Sequence, residues 1–514
     1  MAVGTDELAR TKPDEIALAD VRTDLTWPGV DDVLNRIANA LADQNLGEHR
    51  RVAVFAENAT EVILAHVGSI LAGGSTVPIS FHLTADELSY ILDDSASRVI
   101  FVGPETVERG LEAAARTGVD QVIGWRCEPA AGLIMWDDWL ADSSSAPPRT
   151  DLVARPHLHY TSGTTGFPKG TETPPAMYIG GATVAEQYEL IKESPILSSG
   201  RLGLVIAPLY HTGPLSGARG LLGGNRSVIL GRFDAEEVLA AIDKYRIGSV
   251  FMVPTHFQRL LALPVEVRER YDVSSLTLVT HTGSACPIDV KREMIDWFGP
   301  ILMEAYGATE AGTTNMIMSD EWLERPGSVG KTLPAFELLV VNDDGQRLGP
   351  GEVGHLYFRD KTGRGIVYHN DADATAEAHL EPGVFTMGEI GYADDDGYVF
   401  ITDRAKDMVV SGGVNLYPAE PEQVLADHPA VRDVAVIGVP DDDLGEQLKA
   451  LVVAADSTEP PTEDELIAFC RESLARLKCP RSVDFVDDLG RNAMGKVNKR
   501  RLRAPYWPTD RTIG

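Results

Sequence analysis

Cysteine is scarce in this chain of 514 residues. The four present, Cys127, Cys286, Cys470 and Cys479, show no C-x-x-C spacing and no histidine cluster beside them. That excludes a disulfide framework and a zinc site and leaves reduced thiols. Basic residues are also few, 46 Lys and Arg against 77 Asp and Glu, for a formal net charge of -31. This balance excludes a nucleic acid or an anionic membrane as partner, because either needs a basic face. It also makes each basic residue near a site informative, since anionic substrates require a local positive field. Long apolar runs are missing too. The most apolar stretch, residues 62–79, is broken by His66, Gly68, Ser69, Gly73, Gly74 and Ser75, so it reads as a buried helix leading into a strand and not as a membrane span. The opening MAVGTDELARTKPDE is charged and lacks the apolar core of a signal peptide. A cytoplasmic protein is expected. Repeats and low-complexity segments are absent, and residues 143–148 are only a short linker.

What is present is length and alternation. The chain exceeds what one hydrophobic core serves, so two or more domains are expected. From about residue 25 to 300, short apolar runs alternate with helical periods, the pattern of an α/β protein with largely parallel sheets. Candidate strands are VAVFA (52–56), RVIFV (98–102), LGLVIAP (202–208), SVFMVP (249–254) and LTLVT (276–280). Helical periods at 60–72, 84–93 and 235–245 fall between them, the second opening with a capping-box spacing, Thr84 to Glu87. After Gly330 the pattern changes to hairpins, predicting a small antiparallel β subdomain. The polar segment 403–407, followed by SGG, marks a boundary about which backbone can pivot. A helix at 419–427, strands DVAVIGV and KALVVAA, a helix at 463–477 and strand SVDFV then predict a compact α+β domain of about 100 residues.

The most specific local feature is YTSGTTGFPKG (160–170). Glycines let backbone approach a polyanion, and Ser and Thr hydroxyls donate to phosphate oxygens. The spacing is not that of a P-loop, which requires G-x-x-x-x-G-K-[ST]. An isolated stretch of this composition is more often a plain surface loop. Here, however, further motifs follow in order: LAGGSTVPIS (71–80), PLYHTGP (208–214), GSACP (283–287), YGATEAG (306–312), PGEVGHL (350–356), GEIGYADDDGY (388–398), DRAKDMVVSGGVNLYPAE (403–420) and GRNAMGKVNKRRL (490–502). Together with the loop they resemble the adenylate-forming superfamily of acyl-CoA synthetases, peptide-synthetase adenylation domains and beetle luciferases. The resemblance runs along nearly the whole chain. It implies an α/β fold with a large N-terminal domain over 1–402, made of two α/β subdomains plus a small β-barrel-like subdomain. A hinge at 403–407 and a small mobile α+β C-terminal domain over 408–514 complete it.

The resemblance also assigns parts. Thr161, Ser162, Gly163, Thr164, Thr165 and Lys169 match the loop that shields the β- and γ-phosphates of ATP. Thr309 and Glu310 match a pair in which the hydroxyl meets the α-phosphate and the carboxylate holds Mg²⁺, for which one Glu suffices when phosphates and water supply the rest. Gly283, Ser284, Ala285, Tyr306 and Gly307 match the walls around adenine and the start of the acyl site. Arg404 matches an arginine beside ribose and phosphate. Glu389 stands where the family has an aspartate bonding both ribose hydroxyls: the usual T-G-D is M-G-E here, with Met387 and Glu389, and the extra methylene requires ribose or backbone to shift. Lys496 matches the lysine that bridges acyl carboxylate and phosphate, where it offsets charge that develops in the transition state. Lys406 occupies the hinge position. His211 matches a residue gating the acyl site, and Gly412 and Gly413 match the turn lining the tunnel for the pantetheine of coenzyme A.

The implied reaction activates a carboxylic acid as acyl-AMP with release of pyrophosphate, then transfers the acyl group to coenzyme A. No carrier domain follows the lysine motif, which disfavours a multidomain peptide synthetase. An acyl-AMP ligase loading a separate carrier protein remains open, as does a non-catalytic nucleotide-binding relative, against which the retained Thr309, Glu310 and Lys496 argue. Small residues in the expected pocket walls, among them Gly180, Gly181, Ala182, Gly213, Gly217, Ala218 and Gly220, suggest a medium or large hydrophobic acid, aryl or polycyclic included. Tight helix packing would also explain them. The oligomeric state, a homodimer included, is left open.

Overall fold

The structure is a computed structural model that describes residues 4–161, 168–174, 180–411, 414–441, 444–492 and 495–507. Its first layer is a five-stranded parallel sheet in the order Ser75–Ile79, Arg51–Phe55, Val99–Val102, Gln121–Gly124, Leu133–Met135. The two strands Arg51–Phe55 and Ser75–Ile79 are buried along their whole length, which is why they read as continuous apolar runs without alternation. Helix Thr60–Leu71 leads into this sheet with only Glu61 not fully buried, as the interrupted apolar stretch predicted. Helix Ala85–Ser95 opens with the anticipated capping box: Thr84 accepts from the Glu87 amide, and the Glu87 carboxylate accepts from the Thr84 amide at 2.8 Å.

The second sheet carries parallel strands Arg226–Ile229, Leu202–Val205, Ser249–Met252, Leu278–His281 and Leu302–Ala308. Strand Ile16–Ala19, which the periodicity had not marked, adds to this sheet parallel to Arg226–Ile229. At its other side Leu302–Ala308 turns back as Gly312–Met318. Antiparallel pairing therefore begins earlier than the hairpin texture after Gly330 suggested. It continues through Ser328–Thr332, Tyr398–Arg404, Glu389–Ala393 and Gly354–Asp360. The β subdomain is thus continuous in hydrogen bonding with the second α/β layer, in one 15-stranded sheet.

From Val409 onward a separate five-stranded sheet is built on the long pair Val431–Asp441 and Gly445–Ala454, with Ser482–Phe485 parallel to the latter. Helices Ala419–Ala426 and Glu463–Ser473 cover a core that includes Val409, Leu425, Val436, Val452 and Leu466. The second of these helices stops short of the predicted 477, where Leu474 takes an extended conformation. Residues 175–179 lie outside the described residues; after them helix Val184–Glu193 begins at Thr183, which adopts extended backbone and caps it by accepting from the Glu186 amide at 3.2 Å. Among the described residues no helix is long and apolar enough to cross a membrane.

Candidate active site

The YGATE motif lies on a hairpin. Strand Leu302–Ala308 returns as Gly312–Met318, which leaves Thr309 and Glu310 at the turn. A register shift between Tyr306 and Gly307 tightens the approach, and a Cβ on Gly307 would collide with the carbonyl oxygen of Gly312, so only glycine fits there. The Thr212 hydroxyl donates to Thr309 Oγ1 at 3.2 Å, joining this turn to the helix Thr212–Ala218 that His211 opens.

A second hairpin, Leu158–Thr161 with Lys169–Glu172, sets Thr161 opposite Lys169. It therefore holds both ends of the Gly/Thr loop together, while Ser162, Gly163, Thr164 and Thr165 lie outside the described residues. So do Gly412 and Gly413. The base of the hairpin is fastened to the first sheet, with Tyr160 donating to Asp94 Oδ2 at 2.6 Å and the buried Arg51 donating to Glu172 at 3.2 Å. The Lys169 ammonium pairs with Asp371 at 3.0 Å and lies 5.4 Å from the centre of the Tyr368 ring. The Tyr368 hydroxyl in turn donates to Glu310 at 3.4 Å, a long hydrogen bond.

Strand Leu278–His281 runs into Gly283, Ser284 and Ala285, and Gly283 takes φ +98°, a conformation that disfavours any side chain. Nearby, Glu389 and Arg404 face one another across a strand pair, with Arg404 Nε 3.7 Å from Glu389 Oε1. Glu389 Oε2 and the Tyr306 hydroxyl are buried close to one another, yet neither has a hydrogen bond of good geometry. Burial raises the Glu389 carboxyl to a pKa of about 7, against the pull of Arg404. Burial, and then the Glu389 charge, raise the Tyr306 phenol as well. Buried polar atoms without partners are rare in folded proteins and call for an explanation, such as a ligand that completes them.

Lys496 reaches this same region from the C-terminal sheet's side of the molecule. Part of its surface stays accessible, yet the surrounding protein lowers its pKa, first by desolvation and then through Arg404, while Glu310 and Glu389 oppose the shift. Lys406, on the turn Ala405–Asp407, is likewise lowered by desolvation and by Arg404. The His211 ring is packed 4.3 Å from Tyr210, with Nε2 buried and without a partner. Burial, then Lys496, press its pKa down to about 4. At neutral pH it is therefore an uncharged, largely buried ring.

The lysine is held by contacts that the motifs did not reveal. Gly495 is buried at φ +72°, and a Cβ there would collide with Thr255 Oγ1 and lie 3.5 Å from Thr255 Cβ. The turn is locked by Arg491 donating to the Gly495 carbonyl at 2.7 Å and by the Lys496 amide donating to Asn492 at 2.9 Å. The only signal available in the sequence was a glycine directly before the lysine. Gly495→Ala is expected to slow acid-dependent pyrophosphate release by about tenfold to a hundredfold, from the contact with Thr255 and from left-handed backbone. Thr255→Ala in the same chain should recover part of that loss, and rate measurements on the single and double variants check it.

Beneath the nucleotide side lies a buried ion pair. Lys291 on helix Ile288–Phe298 meets Glu304 on strand Leu302–Ala308 at 2.5 Å, with its ammonium 4.5 Å from the centre of the Trp322 ring. It joins the helix that follows the Gly283–Ala285 loop to the strand that carries Tyr306. Near the segment 403–407, Asp403 accepts from the Arg404 amide at 2.7 Å and from the Ala419 amide at 2.9 Å. Lys499 completes that neighbourhood by pairing with the buried Glu422 at 2.8 Å.

Magnesium fits this donor set only in one manner. Among the described residues no group of three or more His, Cys, Asp or Glu side chains could cage a metal. Glu310 alone offers a carboxylate at the turn beside Thr309, which suits an ion whose other ligands are phosphate oxygens and water.

Comparison with known proteins is consistent with these features. The AMP-binding enzyme family model matches residues 5–365, and that of the AMP-binding enzyme C-terminal domain matches residues 420–496. A feruloyl-CoA synthase from Amycolatopsis sp is 34% identical over 506 residues, covering 97% of each chain. The 3-[(3aS,4S,7aS)-7a-methyl-1,5-dioxo-octahydro-1H-inden-4-yl]propanoyl:CoA ligase of Rhodococcus jostii (strain RHA1) is 34% identical over 513 residues, covering 95% of each. Among solved structures, an anthranilate CoA ligase in complex with anthranoyl-AMP superposes with a TM-score of 0.82 at 25% identity, covering 98% of this chain and 97% of that one.

Proposed function

This chain belongs to the AMP-binding enzyme family of adenylate-forming ligases and is an AMP-forming acyl-CoA synthetase, and from that premise we propose that its acid is medium or large, hydrophobic and ring-bearing. It uses ATP and Mg²⁺, converts the acid to acyl-AMP with release of pyrophosphate, and passes the acyl group to coenzyme A. The observation that carries the assignment of residues is the packing of Gly495, next to Lys496, against Thr255 and near Ser284 of the Gly283–Ala285 loop, and the influence of Glu310, Glu389 and Arg404 on the lysine ammonium agrees with it.

In the first half-reaction the acid carboxylate attacks the α-phosphorus of ATP and pyrophosphate departs. Lys496 offsets the negative charge that gathers there, the Thr309 hydroxyl donates to the α-phosphate, and Lys169 faces the departing phosphates. Glu310 would hold Mg²⁺, which would supply further charge neutralisation on the phosphate oxygens. Tyr306 and the Gly283–Ala285 loop flank the base, and Glu389 accepts from the ribose hydroxyls beside Arg404. For the second half-reaction the C-terminal part, residues 408–514, turns about Lys406 in the segment 403–407 relative to residues 1–402. This withdraws Lys496 and brings Gly412 and Gly413 to the thiol's path. The hydrogen bond from the Ala419 amide to Asp403, 2.9 Å long here, would have to break in such a turn.

The glycines of the presumed pocket sort into two kinds. A Cβ on Gly213 would press on the Phe251 ring and one on Gly220 on Asn225, so these serve packing. Beside Gly217 and Gly180 a Cβ would meet no described atom within 4 Å, so these two are not required by packing among the described residues. The two relatives are named for a feruloyl and a dioxo-octahydro-indenyl propanoyl group, both built on rings. A cytoplasmic location agrees with the use of ATP and coenzyme A. Mass analysis of products from a panel of short, long-chain, aryl and polycyclic acids, with and without coenzyme A, tests the proposal. Turnover of acetate alone overturns it, and acyl-adenylate that never becomes a thioester redirects the acceptor to a carrier protein.

Glu389 makes a pH prediction. Above its pKa of about 7 the carboxylate accepts two hydrogen bonds from ribose; below it, protonation turns one oxygen into a donor. The KM for ATP is therefore expected to fall about fivefold as pH rises through neutrality, the difference between a charged and a neutral hydrogen bond. Glu389→Gln should flatten that profile, as initial rates across pH at saturating acid will report.

A further inference from the structure

We propose that Tyr368 and Asp371 are positioning residues for the phosphate end of the site, the tyrosine steadying Glu310 through its hydroxyl and the aspartate fixing the Lys169 ammonium over the tyrosine ring. The proposal rests on the ATP-dependent reading above and adds residues that no motif singled out.

Lys169 and Glu310 sit on two different hairpins, and the distance between their charges decides whether both meet one triphosphate. Segment 367–371 lies against both. It runs beside the hairpin strand Lys169–Glu172, with Thr171 bridged to Tyr368, the His369 amide donating to the Gly170 carbonyl at 2.7 Å and the Thr171 hydroxyl donating to the Val367 carbonyl at 3.1 Å. The Tyr368 amide is tied down by Thr375 Oγ1 at 3.0 Å. From this braced backbone the Tyr368 side chain reaches Glu310 at 3.4 Å and presents its ring to Lys169. Asp371 accepts from the Ala374 amide at 2.9 Å through one oxygen and pairs with Lys169 at 3.0 Å through the other. A carboxylate whose geometry is set by a backbone hydrogen bond holds its lysine in one place, in a way that an unrestrained surface carboxylate does not. A phenol directed at a carboxylate serves a purpose beyond aromatic packing, since phenylalanine would fill the same space. Glu310 must offer its remaining oxygen lone pairs to a divalent cation in a fixed direction, and one donated hydrogen bond from Tyr368 sets that direction.

Three variants separate these roles. Calorimetric binding of ATP, in the absence of acid and over a series of Mg²⁺ concentrations, reads the phosphate end without turnover. Tyr368→Phe retains the ring under Lys169 and loses the hydroxyl. It is expected to raise the Mg²⁺ concentration for half-maximal ATP binding roughly three- to tenfold and to leave ATP binding without Mg²⁺ unchanged. Asp371→Asn should weaken ATP binding with and without Mg²⁺ alike, as Lys169 loses its placement. Tyr368→Leu should show both defects. In all three, thioester formation from supplied acyl-adenylate and coenzyme A is expected to keep the wild-type rate, because that step involves neither Mg²⁺ nor pyrophosphate. A Tyr368→Phe protein with wild-type Mg²⁺ dependence overturns the proposal, and so does a parallel fall of both half-reactions, which would indicate a merely structural role. Wild-type enzyme that binds no ATP would overturn the parent reading, and this inference with it.

Discussion

Replacing Lys496 with alanine is expected to reduce acid-dependent pyrophosphate release by about 10²- to 10³-fold, the range for removing one preorganised donor from a developing charge. The same variant should convert supplied acyl-adenylate to thioester at close to the wild-type rate. The split follows from geometry. Lys496 feels Glu310, Glu389, Arg404 and Lys406 at once, and its charge reaches His211, which agrees with the proposed place for it between acid and nucleotide. Arg404 and Lys406 cannot replace it, because they belong to the strand and turn at 398–407 and approach from the ribose side. Substrate binding should change less than the maximal rate, since the interaction is strongest in the transition state. Pyrophosphate release and single-turnover thioester formation, measured separately, give the two numbers. Equal losses in both would contradict the assignment of Lys496 to adenylation.

The largest effect on stability is expected at Glu304. Glu304→Gln leaves the Lys291 ammonium buried without a counter-charge, which costs about 3–5 kcal/mol. Adding Lys291→Met should return most of that loss, because a neutral pair avoids the desolvation that the ions must overcome. Trp322 is packed over the ammonium, so the emission change lost in a Trp322→Phe background reports denaturation of this layer apart from the other tryptophans of the chain. The double variant is also informative about function. If the pair merely supports the fold, ATP binding returns with stability; if it sets the spacing between the Gly283–Ala285 loop and Tyr306, the KM for ATP stays raised. A single variant as stable as wild type would show the pair to be neutral or hydrated.

Much of this architecture was legible in sequence. The strands at 51–55, 99–102, 202–205, 249–252 and 278–281 announced themselves as short apolar runs, and the capping box at Thr84 fixed the start of a helix. Local chemistry decided those elements. Contacts made across the fold were not legible. The strand Ile16–Ala19 has four residues and no period to betray it. Gly495 and Thr255 lie 240 positions apart, and their collision depends on how two parts of the molecule meet. Tyr368 and Asp371 gain their significance only from a hairpin some 200 residues earlier. For Lys169, Glu310, Glu389, Arg404 and Lys496, the order of motifs along the chain gave the candidates, and the structure adds the 3.7 Å approach of Arg404 to Glu389 and the link from Lys169 to Glu310 through Tyr368.

The N-terminal strand has a consequence for how the protein is made. Leu18 aligns with Ser227 in a parallel pair, so a segment that leaves the ribosome first must wait for a partner more than two hundred residues behind it. At ordinary translation speed the delay is roughly 10 to 40 s. The five-stranded sheet, contained between residues 51 and 135, can assemble in that interval from nearby sequence. The second sheet is topologically closed only afterwards, with a high contact order that slows its folding. During that wait the strand Ile16–Ala19 can pair with the nearby Asp24–Thr26, but its other edge is open to wrong partners, which makes the nascent chain, more than the finished enzyme, the stage at which aggregation has to be avoided.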